Sequence, residues 1–497
     1  ANPTFFTSAS FVETEGEVRG SVLGLAAGDS DTEQVTRQLA PGAVAGQFID
    51  LYFGVAEQNP TGGAISAASA HRRVLVTAPD AAQSTISATP LSGVVADGTA
   101  ESTITVTVRD PEGKLVGGQA VTLAITSGSG SLGSSSLVTG TNGQAQTSLA
   151  STTAGTVEVG AYLGSSSADP LAGTVSVSFV AGSASQIAVN AGDNQTATVG
   201  TSVTTAPSVL VTDANGNPVQ GVDVTFAVES GGGSVSPTTA VTTGANGVAS
   251  VSTWTLGLGA GENTLTATSS GLTGSPVTFT ATGTAGAAAL IAINAGDGQT
   301  AVAGAAVSIP PSVLVTDANG NPVEGASVVF AAASGGGSVD PATAVTTGSD
   351  GIAVVTNWTL GTTAGSNSLT ATSTGLTGSP LTFNATGEAG AAAQLVFTSS
   401  VADLPVGQSR NLTVEVQDVN GNLVSSAEPV VDFIATVSSV PRIDPFDSFN
   451  TTDVRENVVG GLVELPVTGV SAGPVTVTVE DVAGSSAVGS TSFQVVP

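Results

Sequence analysis

A unit of about one hundred residues occurs twice in this chain, in register and without a net insertion. The octet VTDANGNP begins at Val211 and begins again at Val315, 104 positions later. Trp254 and Trp358 keep the same separation, and so do the two copies of SGGGSV and of GLTGSP. A unit of this length is the size of one small domain. The duplication therefore predicts two copies of one fold joined in tandem.

Weaker copies of the unit flank the duplicated pair. VRDPEGKLV, from Val108, aligns with the first octet, and VQDVNGNLV, from Val416, aligns with the second. The connectors between units are short and rich in Ala, Gly and Ser, which indicates a stacked rod rather than a loose string. The predicted segments are an N-terminal β-rich assembly or docking domain at 1–80, then four repeat domains at 81–182, 183–286, 287–389 and 390–497, the last being divergent.

Within one unit the residues follow the pattern of strands and turns. Val222, Val224 and Phe226 alternate with other residues shortly after an Asn-Gly pair. Alternation with a period of two predicts half-buried strands, and Asn-Gly between strands predicts a tight hairpin turn. The chain has 64 Gly, and only 9% of its residues are charged, so helix-favouring residues are few. We predict an all-β chain, an elongated rod of tandem antiparallel β-sandwiches with a distinct N-terminal β-rich domain.

Several motifs in fixed order resemble those of bacterial Ig-like domains of the invasin and intimin type. They are D-A-N-G-N-P-V-x-G-x-x-V-x-F, then G-G, then G-A-N-G-V-A, and an ending of the form A-G-x-x-x-L-T-A. The resemblance covers 81–387 well and 390–497 more loosely. In that family the domains build the stalks of outer-membrane adhesins and of other surface proteins, and they are non-enzymatic. The resemblance implies an Ig-like sandwich and a surface location for this chain.

The charge of the chain is strongly one-sided. Its 38 acidic residues and 9 basic residues give a net charge of −29, and no Lys or Arg lies between Lys114 and Arg410. A nucleic-acid partner requires a basic surface, so none is expected. No run of 18 or more apolar residues occurs, so we expect no membrane insertion by this chain.

Two residue types, Cys and Met, are absent from the sequence. Cys is absent, which excludes a disulfide framework and thiol chemistry. Met is absent as well, and the first residue is the small Ala1. We expect a secreted protein with a cleaved signal peptide, located outside the cell or on its surface.

The octet itself has two interpretations. Asp213, Asn215 and Asn217 match the first three ligand positions of a calcium loop, but positions 6 and 12 are Pro218 and Val224 rather than Gly and a carboxylate. A turn closed by the Asp side chain needs neither of these residues. We predict hairpin turns at two equivalent sets of residues, Asp213, Asn215 and Gly216, and Asp317, Asn319 and Gly320.

Acidic residues crowd together near the C-terminal end. The stretch RIDPFDSFNTTD is a second candidate for a calcium site, although a solvated loop is the interpretation that we favour. No cofactor is required by any motif, and calcium is the one ion left open. The candidate ligands are Asp444, Asp447, Asn450 and Asp453.

Enzymatic activity is not expected. His71 is the only histidine, which excludes a metal site with several His ligands and leaves one residue to serve a Ser–His pair. The Trp of each duplicated unit lies in a strand near a Phe, a context that indicates core rather than a sugar-binding platform.

The N-terminal segment has its own composition. It contains six of the 19 aromatic residues and four of the nine basic residues. Aromatic and Arg side chains commonly anchor protein interfaces, so we predict an assembly interface there, paired with the strand-like C-terminal end. The residues proposed for this interface are Phe5, Phe6, Phe11, Arg19, Arg72, Arg73, Phe493 and Val495.

Two structural functions fit these features. The first, which we favour from the sequence, is a subunit of a cell-surface filament, assembled head to tail through its termini, since heterologous contacts that do not close produce filaments. The second is the stalk of an invasin-like adhesin, and a virion or phage fibre is a further alternative. The expected partners are accordingly other copies of the chain or a ligand on a host or cell surface.

Overall fold

The computed structural model describes residues 48–56, 67–75, 78–164, 169–426, 430–436, 443–444, 453–481 and 488–497. Every regular element in these ranges is a strand. The prediction of an all-β chain is therefore confirmed. Because the described ranges hold no helix, they hold none that is long and apolar enough to cross a membrane.

The described part of the N-terminal segment is one β-hairpin. Strand β1 (Phe48–Ala56) pairs with β2 (Ala67–Leu75) in antiparallel register, which places Tyr52 opposite His71. The hairpin forms a two-stranded sheet of its own and is described by its backbone.

Domain 1 is a sandwich of two sheets. One sheet has the strand order β3-β5-β9-β7, and the other has the order β4-β11-β10-β6-β8. The short β4 runs parallel to β11, and the other pairs are antiparallel. The strands are β3 (Asp80–Thr89), β4 (Val94–Val95), β5 (Glu101–Arg109), β6 (Ala120–Ser127), β7 (Ser131–Leu132), β8 (Ser136–Val138), β9 (Gln144–Ala150), β10 (Gly155–Leu163) and β11 (Pro170–Val180).

Domain 2 repeats this arrangement. Its two main sheets have the orders β12-β14-β18 and β13-β21-β20-β15-β17, and β16 pairs with β19 at the side. The strands are β12 (Gln186–Ala191), β13 (Gln195–Thr198), β14 (Ser208–Thr212), β15 (Asp223–Ser230), β16 (Ser234–Ser236), β17 (Val241–Thr242), β18 (Val248–Ser250), β19 (Thr253–Thr255), β20 (Gly261–Thr268) and β21 (Val277–Thr284).

Domain 3 copies domain 2 strand for strand, as the duplicated sequence requires. Its sheets have the orders β22-β24-β28, β23-β31-β30-β25-β27 and β26-β29. The strands are β22 (Leu290–Ala295), β23 (Gln299–Val302), β24 (Ser312–Thr316), β25 (Ser327–Ser334), β26 (Ser338–Asp340), β27 (Val345–Thr346), β28 (Ile352–Val354), β29 (Asn357–Thr359), β30 (Gly365–Thr372) and β31 (Leu381–Glu388).

Domain 4 has the same strand order in both sheets despite its divergent sequence. The orders are β32-β34-β38-β36 and β33-β40-β39-β35-β37. The strands are β32 (Gln394–Phe397), β33 (Leu404–Pro405), β34 (Ser409–Gln417), β35 (Val430–Thr436), β36 (Ile443–Asp444), β37 (Asp453–Asn457), β38 (Leu462–Gly469), β39 (Gly473–Asp481) and β40 (Val488–Val496).

Each sandwich buries its own apolar core, because alternate residues of its strands point between the two sheets. In β20, Leu265 and Ala267 are fully buried while the intervening Thr266 faces outward. Trp254 is fully buried in the same core, where the rings of Phe226 and Phe279 lie 6.5 Å apart. Burial of one large apolar side chain contributes roughly 1.5–3 kcal/mol, so each domain carries its own source of stability.

Candidate functional site: the turns between domains

The octet forms a tight turn that follows strand β14. The N–H of Asp213 donates to the carbonyl of Asn217 (2.9 Å), and the N–H of Gly216 donates back to the carbonyl of Asp213 (3.2 Å). Gly216 has a φ of +86°, which glycine adopts with far less strain than other residues. These hydrogen bonds and the conformation of Gly216 together define the shape of the turn.

The carboxylate of Asp213 holds this turn together and also reaches the linker from domain 1. Its Oδ1 accepts the N–H groups of Asn215 (2.9 Å) and Asn217 (2.8 Å). Its Oδ2 accepts the side-chain amide of Asn217 (2.9 Å) and the N–H of Gly182 (2.8 Å). Gly182 lies between β11 and β12, so one buried carboxylate joins the linker to the turn.

The amide of Asn217 crosses the joint and contacts the preceding domain. Its Oδ1 accepts the N–H of Ala154 (2.8 Å), and its Nδ2 donates to the carbonyl of Thr152 (3.0 Å). Both groups belong to the loop between β9 and β10 of domain 1. Asn215 adds a hydrogen bond from its Nδ2 to the carbonyl of Ala96 (3.0 Å). We call the set of Asp, the Asn four residues later, the linker Gly and the loop of the preceding domain the Asp–Asn clasp.

The same clasp occurs at the two following joints. In the second, the linker N–H of Gly286 donates to Asp317 (2.8 Å), and the Asn321 amide accepts from Ala260 (2.7 Å) and donates to the carbonyl of Leu258 (2.8 Å). In the third, Gly390 donates to Asp418 (2.8 Å), and Asn422 accepts from Ala364 (2.7 Å) and donates to the carbonyl of Thr362 (2.8 Å). The three Asp and three Asn residues of the clasps are all buried.

The clasp carboxylates have lowered pKa values. Burial raises the pKa of Asp317, but hydrogen bonds from the Asn321 side chain and from the linker N–H of Gly286 outweigh this effect and hold the pKa at about 2. The same balance holds the pKa of Asp418 at about 2 and lowers that of Asp213. The turn is therefore built around a charged carboxylate at neutral pH.

These contacts explain why the acidic, amide-rich octet is repeated. Each oxygen of the Asp213 carboxylate already accepts two hydrogen bonds, and Oδ1 of Asn217 accepts one from the neighbouring domain. The side chains that resemble calcium ligands are thus oriented toward N–H donors, and the turn serves as an interdomain joint. The octet alone does not reveal this role. The sequence signal for it is the Ala-Gly pair that recurs in the three linkers between domains 1 to 4, at Gly182, Gly286 and Gly390.

The calcium candidates in domain 4 lie partly outside the description. Asp444 ends strand β36 and Asp453 begins β37, both described by their backbone, whereas Asp447 and Asn450 are outside the described residues. Among the described residues, no three acidic or His side chains gather closely enough to hold a metal ion. A calcium site at these four residues stays a prediction.

The residues proposed for the assembly interface also lie partly outside the described residues. Phe5, Phe6, Phe11 and Arg19 lie outside the described residues, and Arg72 and Arg73 lie in β2 opposite Leu51 and Asp50. Their role in assembly stays a prediction.

The C-terminal strand is placed within its own domain. In β40, Phe493 and Val495 are buried in the core, and the strand pairs with β39 on one side and β33 on the other. Arg410 lies over the ring of Phe493, 4.0 Å from its centre. Exchange of β40 between chains would therefore require removing a core strand.

The first domain matches a known family. Residues 74–180 fit the model of the bacterial Ig-like domain, group 1. Domain 4 shares with domain 1 the order of strands in both sheets. Domains 2 and 3 share the five-stranded order, and their smaller sheet is divided into three strands and two strands. From residue 78 onward, the described residues therefore form four Ig-like sandwiches in tandem.

Several solved structures of bacterial adhesins align with the chain. The adhesin FdeC of Escherichia coli is 22% identical, with 63% of this chain and 100% of that chain covered and a TM-score of 0.42. Invasin, described as a bacterial integrin-binding protein, is 18% identical, with 83% and 79% covered and a TM-score of 0.37. InvD of Yersinia pseudotuberculosis is 17% identical, with 61% and 97% covered and a TM-score of 0.38. No curated protein sequence matches the chain.

Proposed function

We propose that this chain is the stalk of an invasin-like bacterial surface adhesin, a non-enzymatic extracellular spacer whose domains are held end to end by Asp–Asn clasps. The observation that carries the proposal is the repetition of one clasp at all three joints between Ig-like domains. A connection that served only to link domains would not need a buried Asp and a buried Asn at every joint.

The linkers support this proposal by their length and their contacts. Domain 1 ends at Val180 and β12 begins at Gln186, and the next linker runs equally briefly from Thr284 to Leu290. In both linkers the Gly N–H is bonded to the Asp carboxylate of the following domain. Rotation of one domain against the next would break these bonds, so a clasped linker restrains bending far more than its sequence suggests.

The free energy contributed by the hydrogen bonds of one clasp is enough to restrain a joint but small compared with the stability of a domain. The second clasp has three hydrogen bonds that join domain 3 to domain 2 and the linker, one of them to a carboxylate. Hydrogen bonds in proteins contribute about 0.5–1.5 kcal/mol each, and those to charged groups about 1.5–3 kcal/mol. A few kcal/mol per joint restrains bending without fusing the domains into one folding unit.

The cell-surface role rests on the family of domain 1 and on the repeated motifs. Bacterial Ig-like domains of the invasin type build stalks that present a binding part at a distance from the cell. For this chain we propose a surface location and a ligand on a host or cell surface, bound by the part that the stalk presents. FdeC is an adhesin and invasin binds integrin, and these activities are known of those two proteins.

The filament hypothesis stays a prediction. It depends on exchange of a terminal strand, yet β40 lies in the core of its own domain and residues 1–47 are outside the description. No contact among the described residues favours a head-to-tail assembly over a stalk. Assembly would appear as fibres in the electron micrographs of the experiment below.

Electron microscopy of the full chain, with and without a calcium chelator, tests the proposal. We expect isolated straight rods that are unchanged by the chelator, because N–H donors rather than a cation hold the clasps. The triple variant N217A/N321A/N422A should give bent particles with a broad spread of end-to-end distances.

The matched control is N142A/N246A/D350A, which alters the exposed turn at the corresponding place in three domains. Equally straight particles from the clasp variant and the control would overturn the proposal. Collapse of the wild-type rods in chelator would assign the stiffness to bound calcium instead.

A further inference from the structure

The octet VTDANGNP contains a chemically labile pair, Asn followed by Gly. In such a pair the backbone nitrogen of Gly can attack the side-chain amide carbon of Asn, because no Cβ on Gly shields that nitrogen. The pair occurs in both copies of the octet, as Asn215–Gly216 and Asn319–Gly320. The eight residues are identical, so a difference between the two copies in this reaction must come from the contacts of the folded chain.

The reaction replaces the amide by a carboxylate and needs only water. The Gly nitrogen forms a bond to Cγ of Asn, the bond from Cγ to Nδ2 breaks, and the proton of the Gly nitrogen leaves with Nδ2 as ammonia. Water then opens the resulting five-membered imide at one of its two carbonyl carbons. The product is aspartate, or isoaspartate, in which the main chain runs through Cγ and is one atom longer. Either product carries a new negative charge at neutral pH.

The two asparagines differ in what holds their side chains, although both residues are exposed. The Nδ2 of Asn215 donates to the carbonyl of Ala96 (3.0 Å) across the first joint. Asn319 donates its backbone N–H to Asp317 (2.8 Å), and its side chain has no hydrogen-bond partner in the described part of the chain. The amide must rotate over the Gly nitrogen to react, so that of Asn215 must first leave Ala96. One neutral hydrogen bond corresponds to a rate lower by roughly two- to tenfold.

The glycine nitrogens are alike in the two copies. The N–H of Gly216 and that of Gly320 each donate to the carbonyl of the turn Asp at 3.2 Å, the long end of the range for such bonds. Neither glycine has an atom within 4 Å of the place where a Cβ would stand. Both nitrogens are therefore equally open to the reaction, and the hydrogen bond of the Asn215 side chain distinguishes the two copies.

The clasp asparagine of each octet is excluded from this chemistry. Asn217 and Asn321 are followed by Pro218 and Pro322, and the proline nitrogen has no proton to lose. The amides that join the domains therefore persist while a neighbouring Asn-Gly pair reacts.

We propose that Asn319 is a site of spontaneous deamidation and that the first joint protects its counterpart Asn215. The new carboxylate would stand two residues from the buried Asp317, in a domain without a single cationic side chain. In isoaspartate the additional main-chain atom also lengthens the segment between Asp317 and Asn321, whose N–H bonds to the Asp317 carboxylate (2.9 Å). The site is independent of the proposed function, but its consequence rests on that function: the second clasp loosens as the molecule ages.

Mass spectrometry of the aged full chain tests the site. After incubation at mildly alkaline pH, pepsin digestion in acid yields peptides that differ between the octets, since Gln220 follows one and Glu324 follows the other. We expect position 319 to react roughly two- to tenfold faster than position 215. Equal rates at the two positions, or no reaction at either, would overturn the proposal.

The variant N217A tests the protection by the first joint. It removes the amide that bonds to Ala154 and Thr152, and so opens that joint. Position 215 should then react as fast as position 319, whereas the control D350A, in the other turn of domain 3, should change neither rate. A rate at position 215 that stays low in N217A would show that the joint does not protect it.

Spin labels measure the consequence for the second joint. The chain has no Cys, so the pair T278C and T382C, in domains 2 and 3, is labelled specifically after ageing. The distance distribution should be broader in aged than in fresh protein, and N319S, which cannot form the imide, should stay narrow. Equal broadening in N319S would overturn the consequence for the joint. A broad distribution in fresh protein would contradict the stalk proposal and leave the modification site in place.

Discussion

The interior of a domain and the joint between two domains are held together by different means. In domain 2 the core is apolar and closely packed, with Trp254, Leu265 and Phe279 fully buried. At the joint with domain 1 the contacts are hydrogen bonds, most of them made by Asp213 and Asn217. Apolar burial tolerates repacking, whereas a hydrogen bond is lost when one donor is removed. The difference implies that stiffness can be removed from the chain without unfolding its domains.

The largest effect should come from a cavity in a core. We expect Trp254→Ala to destabilise domain 2 by about 3–5 kcal/mol, because the side chain is fully buried and the space cannot refill. Calorimetry of the full chain should show one unfolding transition shifted to lower temperature while the others stay in place. A uniform shift of all transitions would mean that the domains unfold as one unit, contrary to the comparison above.

Acid should weaken the joints before the cores. The pKa of Asp317 is lowered from 3.8 to about 2, so its contribution is complete above pH 4 and is lost as the pH falls through 2. The hydrogen bonds that lower this pKa come from the turn itself and from the linker N–H of Gly286, so protonation of Asp317 weakens the turn and the joint together. Spin-label distances across the second joint should broaden between pH 4 and pH 2 while the near-ultraviolet dichroism of the cores persists.

The matched variant for this acid test is D317N. Its second joint should be weak at every pH and should show no further broadening in acid. A variant that broadened with the same midpoint as the wild type would assign the effect to other carboxylates.

A smaller effect is expected at the turn glycine. Gly320 has a φ of +86° and no neighbour within 4 Å of an added Cβ, so Gly320→Ala should cost about 1 kcal/mol from backbone strain alone. Chemical denaturation of domain 3 measures this cost directly. A change below a few tenths of a kcal/mol would show that the turn relaxes into another conformation.

The smallest effect on the width of the distance distribution should come from a substitution of the linker glycine that keeps the backbone N–H. A Cβ at Gly286 would meet Oδ2 of Asp317 at 3.4 Å, an ordinary contact, so Gly286→Ala should leave the second joint as narrow as in the wild type. Gly286→Pro removes the donor and should broaden the joint clearly. Equal distance distributions for the two variants would show that the linker N–H contributes nothing.

The sequence was sufficient to predict the sandwiches because their signals are local and periodic. Alternation in a strand such as β20 and the Asn-Gly turns depend on residues close together in the chain. The clasp was missed because its partners are distant: Asn217 contacts Thr152, 65 residues earlier, through a backbone carbonyl that any residue would supply. Because the partner groups in the preceding domain are backbone groups, no particular residue type in that domain indicates the contact.

The side chains of the clasp, unlike its backbone partners, can be recognised in the sequence. Asp213 and Asn217 stand out in the sequence, and their resemblance to calcium ligands leaves two interpretations, an ion site and a turn within one domain. Oxygen-rich side chains can serve cations or N–H donors equally well, and only the arrangement of neighbouring domains distinguishes these uses. The buried Asn that follows the Asp by four residues is the residue that identifies a clasp in this chain.

The most direct test of the account is the width of the distance distribution across the second joint. Labels at T278C and T382C occupy equivalent exposed positions of domains 2 and 3. We predict a narrow distribution for the wild type, a clearly broader one for N321A, and no change for the control D350A. A wild-type distribution as broad as that of N321A would contradict the claim that the Asp–Asn clasps stiffen the chain.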